Sequence, residues 1–231
     1  MKQAVVLGIT GGLGREIAKM LLERGYNILG TSHSRQIEDE YDPKRVEIVS
    51  LDFADGKQIA KFCQRLESME HIDFMTNTIG TWTINRFENV PFEAFKEDMD
   101  INVLNYIPIL QKAIPKLKEG SEIIFILTEM VIGEPNYFLS SYVSSKYALL
   151  GLMKSLAGEL KQKGVKVNAV SPGMMDTKFT ENVHRIVKEK YIKESVNGRL
   201  VEPKEVALQM GEILDAKITG ENFPVFGKRA V

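Results

Sequence analysis

Short apolar segments alternate with amphipathic helical patterns along this chain, which predicts an α/β fold: a doubly wound, mostly parallel, seven-stranded sheet with helices on both faces. Right-handed crossovers between consecutive strands place the helices on the two faces of such a sheet. Two further observations agree. The first apolar segment runs through a glycine-rich turn directly into a helix, and polar residues follow the ends of several predicted strands. Ligands bind at that edge of an open α/β sheet.

The composition favours one globular domain, 1–231, with a sizeable core. The chain has 231 residues, of which 44% are hydrophobic and 26% charged. Its formal net charge is −1, so no global basic field indicates nucleic acid or an anionic membrane as a partner. No apolar run reaches the length of a membrane span, and the N-terminus lacks a signal-peptide profile. We therefore expect a soluble, cytoplasmic protein.

The cysteine and histidine contents argue against two further kinds of chemistry. The single cysteine, Cys63, cannot form an internal disulfide, which suits a reducing compartment. Its position in a helical apolar pattern predicts a core residue rather than a reactive thiol. The histidines, His33, His71 and His184, are far apart and lack ligand spacing, so we expect no metal site.

The first strand, 4–7, is apolar throughout, as expected for a strand buried on both faces. It leads into a glycine turn, which reads Gly8-x-x-x-Gly12-x-Gly14 or equally Gly8-x-x-Gly11-x-x-Gly14, and then into a helix that Gly25 follows. Glycines let the backbone approach a pyrophosphate, and the helix N-terminus adds N–H groups and partial positive charge. This context predicts a dinucleotide-binding turn in a Rossmann-type domain. A glycine-rich turn without a ligand is the alternative.

The end of the second strand, 27–31, indicates which dinucleotide is bound. An acid at this point commonly holds the ribose 2′-hydroxyl of NAD, whereas a 2′-phosphate requires hydroxyls and cations. The chain reads Ser32-His33-Ser34-Arg35, with no acid until Glu38. This favours NADP(H), with NAD(H) still possible. A polar loop in which Arg35 is simply solvated is the alternative.

The remaining elements continue the alternation. Further strands are predicted at 46–51, 74–76, 122–127, 165–170 and 223–226, and helices at 56–67, 91–117 with an interruption at Pro108, 141–162 and 203–214. A charged, mildly amphipathic stretch covers 179–194. Asp55 is a plausible N-cap for the helix that follows it. Polar residues after the strand ends, Asp52, Asn77 and Thr128 among them, should meet at one edge of the sheet.

Tyr142 and Lys146 stand four residues apart at the start of the predicted helix 141–162, so their side chains project from the same face. A phenol has a pKa near 10 and exchanges protons poorly at neutral pH. A neighbouring ammonium favours the phenolate and lowers that pKa. The pair is therefore a candidate for proton transfer. The same spacing also occurs by chance in a lysine-rich chain, and the convergence of polar residues on the ligand-binding edge favours the functional interpretation.

In this order, the motifs resemble those of the short-chain dehydrogenases/reductases, classical branch, over nearly the whole chain, and in particular the 3-oxoacyl-acyl-carrier-protein reductase-like members. The segments that carry the resemblance are the glycine turn, Asp52, Asn77-Thr78-Ile79-Gly80, Asn102, Tyr142 with Lys146, Asn168-Ala169-Val170-Ser171-Pro172-Gly173 with Thr177, and Ile218-Thr219-Gly220 followed by Pro224-Val225. The resemblance implies an enzyme that reduces a carbonyl, or oxidises the matching secondary alcohol, with NADP(H).

The resemblance also implies the residues of the site. Those expected to hold the cofactor are Gly8, Thr10, Gly11, Gly12, Leu13, Gly14, Ser32, His33, Ser34, Arg35, Asp52, Asn77, Gly80, Tyr142, Lys146, Pro172, Gly173 and Thr177. The expected catalytic residues are Tyr142, Lys146, Thr128 and Asn102. Tyr142 would donate the proton, Lys146 would lower the Tyr142 pKa and hold the nicotinamide ribose, Thr128 would polarise the carbonyl, and Asn102 would position a water that links Lys146 to solvent.

The chain departs from the family pattern at three places. Leu7 stands where the family usually has threonine, and Thr78-Ile79 replaces its Asn-Ala. The catalytic serine is also replaced: strict spacing before Tyr142 gives Glu129, whereas the strand end gives Thr128. We prefer Thr128, because a hydroxyl can donate to a substrate oxygen and an ionised carboxylate would repel the developing oxyanion. A substrate-specific role for Glu129, or loss of activity, is the alternative.

The segment 178–200 is expected to form a substrate lid, as this region does in the family. Its cations, Arg185, Lys188, Lys190 and Lys193, suggest an anionic or carrier-bound substrate or, more simply, a solvated helix face. The expected partners are a small-molecule carbonyl or alcohol and further copies of the chain, as a homodimer or homotetramer. Two other functions fit the same motifs: a non-catalytic NADP(H)-binding sensor or scaffold, and an epimerase or dehydratase on the same fold.

Overall fold

Parallel strands form one seven-stranded sheet in the order β3-β2-β1-β4-β5-β6-β7. The structure is a computed structural model that describes residues 1–33, 41–135 and 137–225. Its strands are β1 (Lys2–Leu7), β2 (Tyr26–Ser32), β3 (Val46–Ser50), β4 (Ile72–Asn77), β5 (Leu117–Ile126), β6 (Lys166–Pro172) and β7 (Asn222–Val225). Every pair of neighbouring strands is parallel. The predicted fold class is confirmed, and the strand order reverses between β1 and β4, where such sheets bind ligands.

Helices cover both faces of the sheet. They are α1 (Gly12–Glu23), α2 (Gly56–Glu67), α3 (Phe92–Asn102), α4 (Ile107–Ala113), α5 (Ser140–Leu160), α6 (Arg185–Glu194) and α7 (Pro203–Asp215). Consecutive side chains of a strand point to opposite faces. Val5 of β1 accordingly belongs to the core formed with α2, α4 and α5, whereas Val6 belongs to the core formed with α1 and α7. Both side chains are fully buried, so β1 is a central strand.

Several local predictions are confirmed. Cys63 is buried in the core on the α2 side of the sheet. The Asp55 carboxylate caps α2, since it accepts hydrogen bonds from Lys57 N at 2.8 Å and Gln58 N at 3.3 Å. Gly25 follows α1 with a φ of +81°, a left-handed conformation that glycine adopts at helix ends. Among the helices of the described residues, none combines the length and the apolar character needed to cross a bilayer.

The helical prediction for 91–117 is wrong about the position of the break. The break lies at Val103, whose φ of −127° and ψ of −64° are not helical, rather than at Pro108. Pro108 stands in the first turn of α4, where its missing N–H leaves no hydrogen bond unmade. A 3-10 turn, Ile114–Lys116, continues α4 almost to the predicted end.

Strand β5 is longer than the predicted 122–127 and begins at Leu117. Its pairing with β4 shifts register between Ile72 and Phe74, and Gly120 adopts a φ of +84° at this irregularity. Ser121 stabilises the irregular segment, because its hydroxyl donates to the Ile72 carbonyl at 2.7 Å. An irregular strand start of this kind breaks the alternation of apolar residues, so periodicity alone did not include it. At the C-terminus, β7 ends at Val225, and Phe226 of the predicted last strand lies outside the described residues.

The packing of α7 gives a stability prediction. Met210 is fully buried between α7 and its neighbours, whereas Leu208 on the same helix is 55% exposed. Met210→Ala should lower the free energy of unfolding by about 2–5 kcal/mol, because it leaves a cavity. Leu208→Ala should change it by no more than about 0.5 kcal/mol. Urea unfolding followed by circular dichroism measures both, and equal losses would contradict this placement of the helix.

Candidate active site

The turn between β1 and α1 brings backbone atoms unusually close together. An ideal Cβ at Gly14 would lie 2.1 Å from the Gly8 carbonyl oxygen, so only glycine allows this approach. Gly8 itself has a φ of +78°, and a Cβ there would lie 2.6 Å from the Thr78 hydroxyl. The sequence motif is therefore required by the turn itself, independently of any ligand.

Two threonines hold this turn in place: Thr31 of β2, and Thr78, which follows β4. The Thr78 hydroxyl donates to the Leu7 carbonyl at 2.9 Å and lies 3.1 Å from the Gly8 carbonyl. The Thr31 hydroxyl accepts a hydrogen bond from Gly8 N at 3.0 Å. Leu7 and Thr78 are two of the positions that depart from the family pattern. The Thr78 hydroxyl thus anchors the turn even though Leu7, the residue before the turn, has no hydroxyl.

The N-terminus of α1 is suited to an anion. Gly11 is its N-cap and makes no side-chain capping bond, and Gly11 and Gly12 are exposed. The first N–H groups of a helix lack partners within the helix and attract negative charge. Thr177, which follows β6, lies beside this end, since a Cβ at Gly12 would meet its methyl group at 3.0 Å. These residues fit the pyrophosphate of a dinucleotide, while Leu13 is buried in the core behind them.

The end of β2 lies next to the same turn. Ser32 is buried, and its hydroxyl shares a hydrogen bond of 3.0 Å with the Thr10 hydroxyl. His33 is exposed. Ser34 and Arg35, the other two residues predicted to contact a 2′-phosphate, lie outside the described residues.

Five further residues predicted for the cofactor lie at or just after the ends of β3, β4 and β6. Asp52 follows β3 and accepts a hydrogen bond from Ala54 N at 2.8 Å. Asn77 ends β4, and its side chain accepts from Ile79 N at 2.9 Å. Each of these two side chains thus holds the backbone of the turn that follows it. Gly80 lies beside Asn102, because a Cβ at Gly80 would approach the Asn102 amide oxygen at 3.1 Å. At β6, Pro172 is buried, and the following Gly173 N donates to Val225 O at 3.3 Å.

Asn102 is buried at the end of α3, and its amide joins two elements of the site. Its Oδ1 accepts from Thr81 N at 2.8 Å, and its Nδ2 donates to Thr81 O and to the Ser145 hydroxyl, both at 2.9 Å. Ser145 in turn donates to the Tyr142 carbonyl at 2.7 Å. The amide therefore fixes the segment after β4 against the first turns of α5.

Tyr142, Lys146 and Thr128 come together at the ends of β5 and α5. The Lys146 ammonium lies 5.5 Å from the centroid of the Tyr142 ring, and it donates to the carbonyl of Ile126, the last residue of β5, at 2.9 Å. The Thr128 hydroxyl hydrogen-bonds with the Tyr142 phenol. The structure thus brings a phenol, an ammonium and a second hydroxyl to the same edge of the sheet as the glycine turn.

Burial, rather than the neighbouring ammonium, controls the proton affinities of this pair. The pKa of Tyr142 is raised to about 12, and burial is the main cause. The Thr128 hydrogen bond lowers this pKa and the Glu129 carboxylate raises it, each by less than burial does. Burial lowers the pKa of Lys146 to about 8. The expectation that Lys146 pulls the Tyr142 pKa down is therefore wrong for this arrangement, because desolvation disfavours both charged forms.

Glu129, the other candidate for the serine position, interacts with a different element. It follows Thr128 directly and begins a short 3-10 turn, Glu129–Val131. Its carboxylate accepts a hydrogen bond from the Tyr191 hydroxyl of α6. Thr128, not Glu129, is the residue whose side chain bonds to Tyr142. The two side chains thus have separate places in the site.

Aromatic side chains close over Tyr142, and the sequence analysis did not identify them. The Phe179 ring lies 6.2 Å from the Tyr142 ring and 5.8 Å from the Trp82 ring, between centroids. The Trp82 indole N–H donates to the Phe179 carbonyl at 3.1 Å. Trp82 follows β4 and Phe179 follows β6. Aromatic residues in otherwise polar segments just after strand ends were the sequence signal that could have revealed them.

A family model described as Enoyl-(Acyl carrier protein) reductase matches residues 8–226 of this chain. The chain therefore belongs to this family, within the short-chain dehydrogenases/reductases, a class of nicotinamide-dependent oxidoreductases. The match extends from the first glycine of the turn to the end of β7, so it includes every part of the site described above.

Individual relatives agree with this assignment. The chain is 27% identical over 238 residues to the 3-oxoacyl-(acyl-carrier-protein) reductase FabG of Staphylococcus epidermidis, with 98% of each chain covered. It is 29% identical over 189 residues to the 2-dehydro-3-deoxy-D-gluconate 5-dehydrogenase of Bacillus subtilis, covering 79% of this chain and 74% of the relative. A solved short-chain dehydrogenase/reductase from Serratia marcescens has the same fold, with a TM-score of 0.90 at 23% identity over 100% of this chain and 98% of that one.

The lowered pKa of Lys146 gives a pH-dependent stability prediction. Below pH 8 the folded and unfolded states both hold the Lys146 proton, and the cost of burying the charge is complete. Between about pH 8 and 10.4 the unfolded lysine keeps a proton that the folded one has lost, so the wild-type protein gains stability as the pH rises. The stability advantage of Lys146→Met over wild type should therefore shrink across this range, by up to about 3 kcal/mol.

Urea unfolding of both proteins at pH 7, 8, 9 and 10 measures this difference. Lys154→Met is the control, because Lys154 is exposed on the same helix and its ammonium donates to the Gly220 carbonyl. A difference between wild type and Lys146→Met that does not change with pH would contradict the buried position of this ammonium.

Proposed function

We propose that this protein is an NADP(H)-dependent reductase of a small-molecule carbonyl compound, also able to oxidise the matching secondary alcohol. The observation that carries the proposal is the meeting of the Tyr142 phenol, the Thr128 hydroxyl and the Lys146 ammonium at the sheet edge that also holds the glycine turn. The names of both curated relatives, a 3-oxoacyl reductase and a dehydrogenase of a deoxygluconate, describe reactions of the same general kind.

Each of these groups has a distinct task in this reaction. When bound, the reduced nicotinamide supplies the hydride that adds to the carbonyl carbon. Tyr142 donates its proton to the carbonyl oxygen, on which negative charge develops. Thr128 hydrogen-bonds with the same oxygen and with the phenol. Lys146 can pass a proton on to the phenolate that remains, because its pKa of about 8 lies close to neutral pH.

The protonation state of Tyr142 favours the reductive direction. With a pKa raised to about 12, the phenol keeps its proton at neutral pH until a substrate oxygen becomes basic enough to accept it. A bound carbonyl that gains hydride is such an acceptor. The oxidative direction would require the phenolate first, and burial disfavours that form.

The preference for NADP(H) rests on the segment after β2. Ser32-His33-Ser34-Arg35 offers hydroxyls and a guanidinium and no carboxylate, as a 2′-phosphate requires. A guanidinium is the side chain best suited to a phosphate, because its N–H groups match two phosphate oxygens at once. Arg35 is therefore our candidate residue for binding the 2′-phosphate.

NADPH should bind at least about tenfold more tightly than NADH, a difference of ~1.4 kcal/mol. Fluorescence titration with both nucleotides measures the ratio. Arg35→Ala should reduce the affinity for NADPH and leave that for NADH nearly unchanged. Arg65→Ala is the matched control, since Arg65 is paired with Glu47 on the surface of α2. Tighter binding of NADH by the wild-type protein would overturn the NADP(H) assignment and leave the fold untouched.

Tyr142→Phe removes the donated proton and keeps the ring against Phe179. It should lower kcat for carbonyl reduction by about 10²–10⁴-fold and change the affinity for NADPH little. NADPH consumption with a panel of aldehydes and ketones measures turnover. Tyr147→Phe, an exposed tyrosine on the same helix, should leave kcat unchanged. Undiminished kcat in Tyr142→Phe would rule out Tyr142 as the proton donor.

A further inference from the structure

Two helices of the site carry buried polar residues at the same spacing. On α3, Asp98 and Asn102 are four residues apart, and on α5, Ser141 and Ser145 are four residues apart. Residues at this spacing lie on one face of a helix. All four are buried. Asn102 bonds to Ser145, and one helical turn earlier Asp98 bonds to Ser141, so the two helices are joined at two levels.

The Asp98 carboxylate gathers donors from two different elements. Its Oδ2 accepts a hydrogen bond from Thr83 N at 2.9 Å and another from the Ser141 hydroxyl. Asp98 is 2% exposed, and Ser141 is fully buried. A buried carboxylate is costly unless hydrogen-bond donors replace the water around it. The start of α5 also favours the negative charge, because the first turn of a helix carries partial positive charge.

The start of α5 depends on this contact for its position. Leu139 is the N-cap of the helix, and no side chain makes a capping hydrogen bond there. Without such a bond, the first N–H groups of a helix lack a local partner that would fix the turn. Asp98 supplies an anchor from another helix instead. Ser141 directly precedes Tyr142, so the anchor acts one residue away from the proposed proton donor.

The other end of the contact lies in the segment after β4. Thr83 directly follows Trp82, whose indole N–H donates to the Phe179 carbonyl at 3.1 Å. The Phe179 ring lies 6.2 Å from the Tyr142 ring, between centroids. Asp98 therefore joins the helix that carries Tyr142 to the segment that carries Trp82.

We propose that Asp98 is a positioning residue of the candidate active site: its carboxylate holds the first turn of α5, and with it Tyr142, against the segment after β4. The inference rests on the proposed carbonyl reduction and adds a residue outside the family motifs named above. In this role Asp98 acts through Ser141 and touches neither substrate nor cofactor. Proton transfer requires the phenol within hydrogen-bond reach of the carbonyl oxygen, so turnover depends on where α5 begins.

Asp98→Ala leaves the Ser141 hydroxyl and the Thr83 N–H without their acceptor. It should lower kcat by about 10–100-fold, because a misplacement of about 1 Å has an effect of this size. KM and the affinity for NADPH should change little, since the glycine turn is untouched. Asp98→Asn keeps an oxygen that can accept from both donors, and it should retain most of the wild-type kcat. NADPH consumption with the carbonyl panel measures kcat, expressed per NADPH-binding site from fluorescence titration.

Two variants control for the loss of a carboxylate and for the loss of stability. Asp100→Ala removes a carboxylate from the same helix, where Asp100 pairs with Lys96 at 2.6 Å, and it should leave kcat unchanged. Met210→Ala destabilises the fold through a cavity in the α7 core and should also keep the wild-type kcat per NADPH-binding site.

Ser141→Ala is a milder variant that tests the same contact even if Asp98→Ala fails to fold. It removes one donor and leaves the bond between Asp98 and Thr83. It should lower kcat by about three- to tenfold. The double variant of Asp98→Ala and Ser141→Ala should lose no more activity than Asp98→Ala alone, because both changes remove the same contact.

Amide hydrogen exchange tests the anchoring without any turnover. In Asp98→Ala, or in Ser141→Ala if the former does not fold, the amides of 140–146 should exchange faster relative to those of β1. Met210→Ala should not change this ratio, because it affects the stability of the whole domain.

The outcomes separate this inference from the function on which it rests. A wild-type kcat per NADPH-binding site in Asp98→Ala, or an unchanged exchange ratio for 140–146, overturns the role of Asp98 and leaves carbonyl reduction standing. An Asp98→Asn variant as impaired as Asp98→Ala contradicts a role through accepted hydrogen bonds. If the wild-type protein reduces none of the carbonyls, the proposed function is contradicted, and the exchange ratio still decides whether Asp98 anchors α5.

Discussion

The buried amide of Asn102 is the contact on which the geometry of the site depends. It accepts from Thr81 N and donates to Thr81 O and to Ser145. These bonds join the end of α3, the segment after β4 and the first turns of α5. Without the amide, the partly buried N–H and C=O of Thr81 would lose these partners, at a cost of about 1–3 kcal/mol each. The orientation of Tyr142 relative to the sheet follows from this junction.

Burial then determines the chemistry of the groups that α5 presents. Burial disfavours the charged forms of both Tyr142 and Lys146. The phenol therefore holds its proton more tightly and the ammonium releases its proton more readily. These properties suit the proposed carbonyl reduction, in which the phenol gives up a proton. The Thr128 hydroxyl hydrogen-bonds to the same phenol.

Two further contacts connect the neighbourhood of Tyr142 with other elements. Phe179 and Trp82 bring aromatic rings from two strand ends over Tyr142. Glu129, in the turn after β5, accepts a hydrogen bond from Tyr191 of α6. The segment after β5 is therefore joined to α6.

The sequence determined the features that depend on local spacing. The alternation of elements predicted the parallel sheet, and the glycines predicted the β1–α1 turn. The four-residue spacing placed Tyr142 and Lys146 on one face of a helix. Boundaries were less predictable at Val103 and Leu117, where a break in the helix and an irregular strand start depend on contacts with distant segments. Ser34 and Arg35, central to the NADP(H) prediction, lie outside the described residues.

Tertiary structure alone decided the direction of the pKa changes and which of Thr128 and Glu129 hydrogen-bonds to the Tyr142 phenol. Lysine and tyrosine at helical spacing predict mutual stabilisation of their charges, yet desolvation within the folded core outweighs that attraction. Similarly, adjacent positions in the sequence do not reveal which side chain turns toward Tyr142 and which toward Tyr191. Desolvation and side-chain direction both arise from atoms far apart in the chain, and they exist only once those atoms have been packed together.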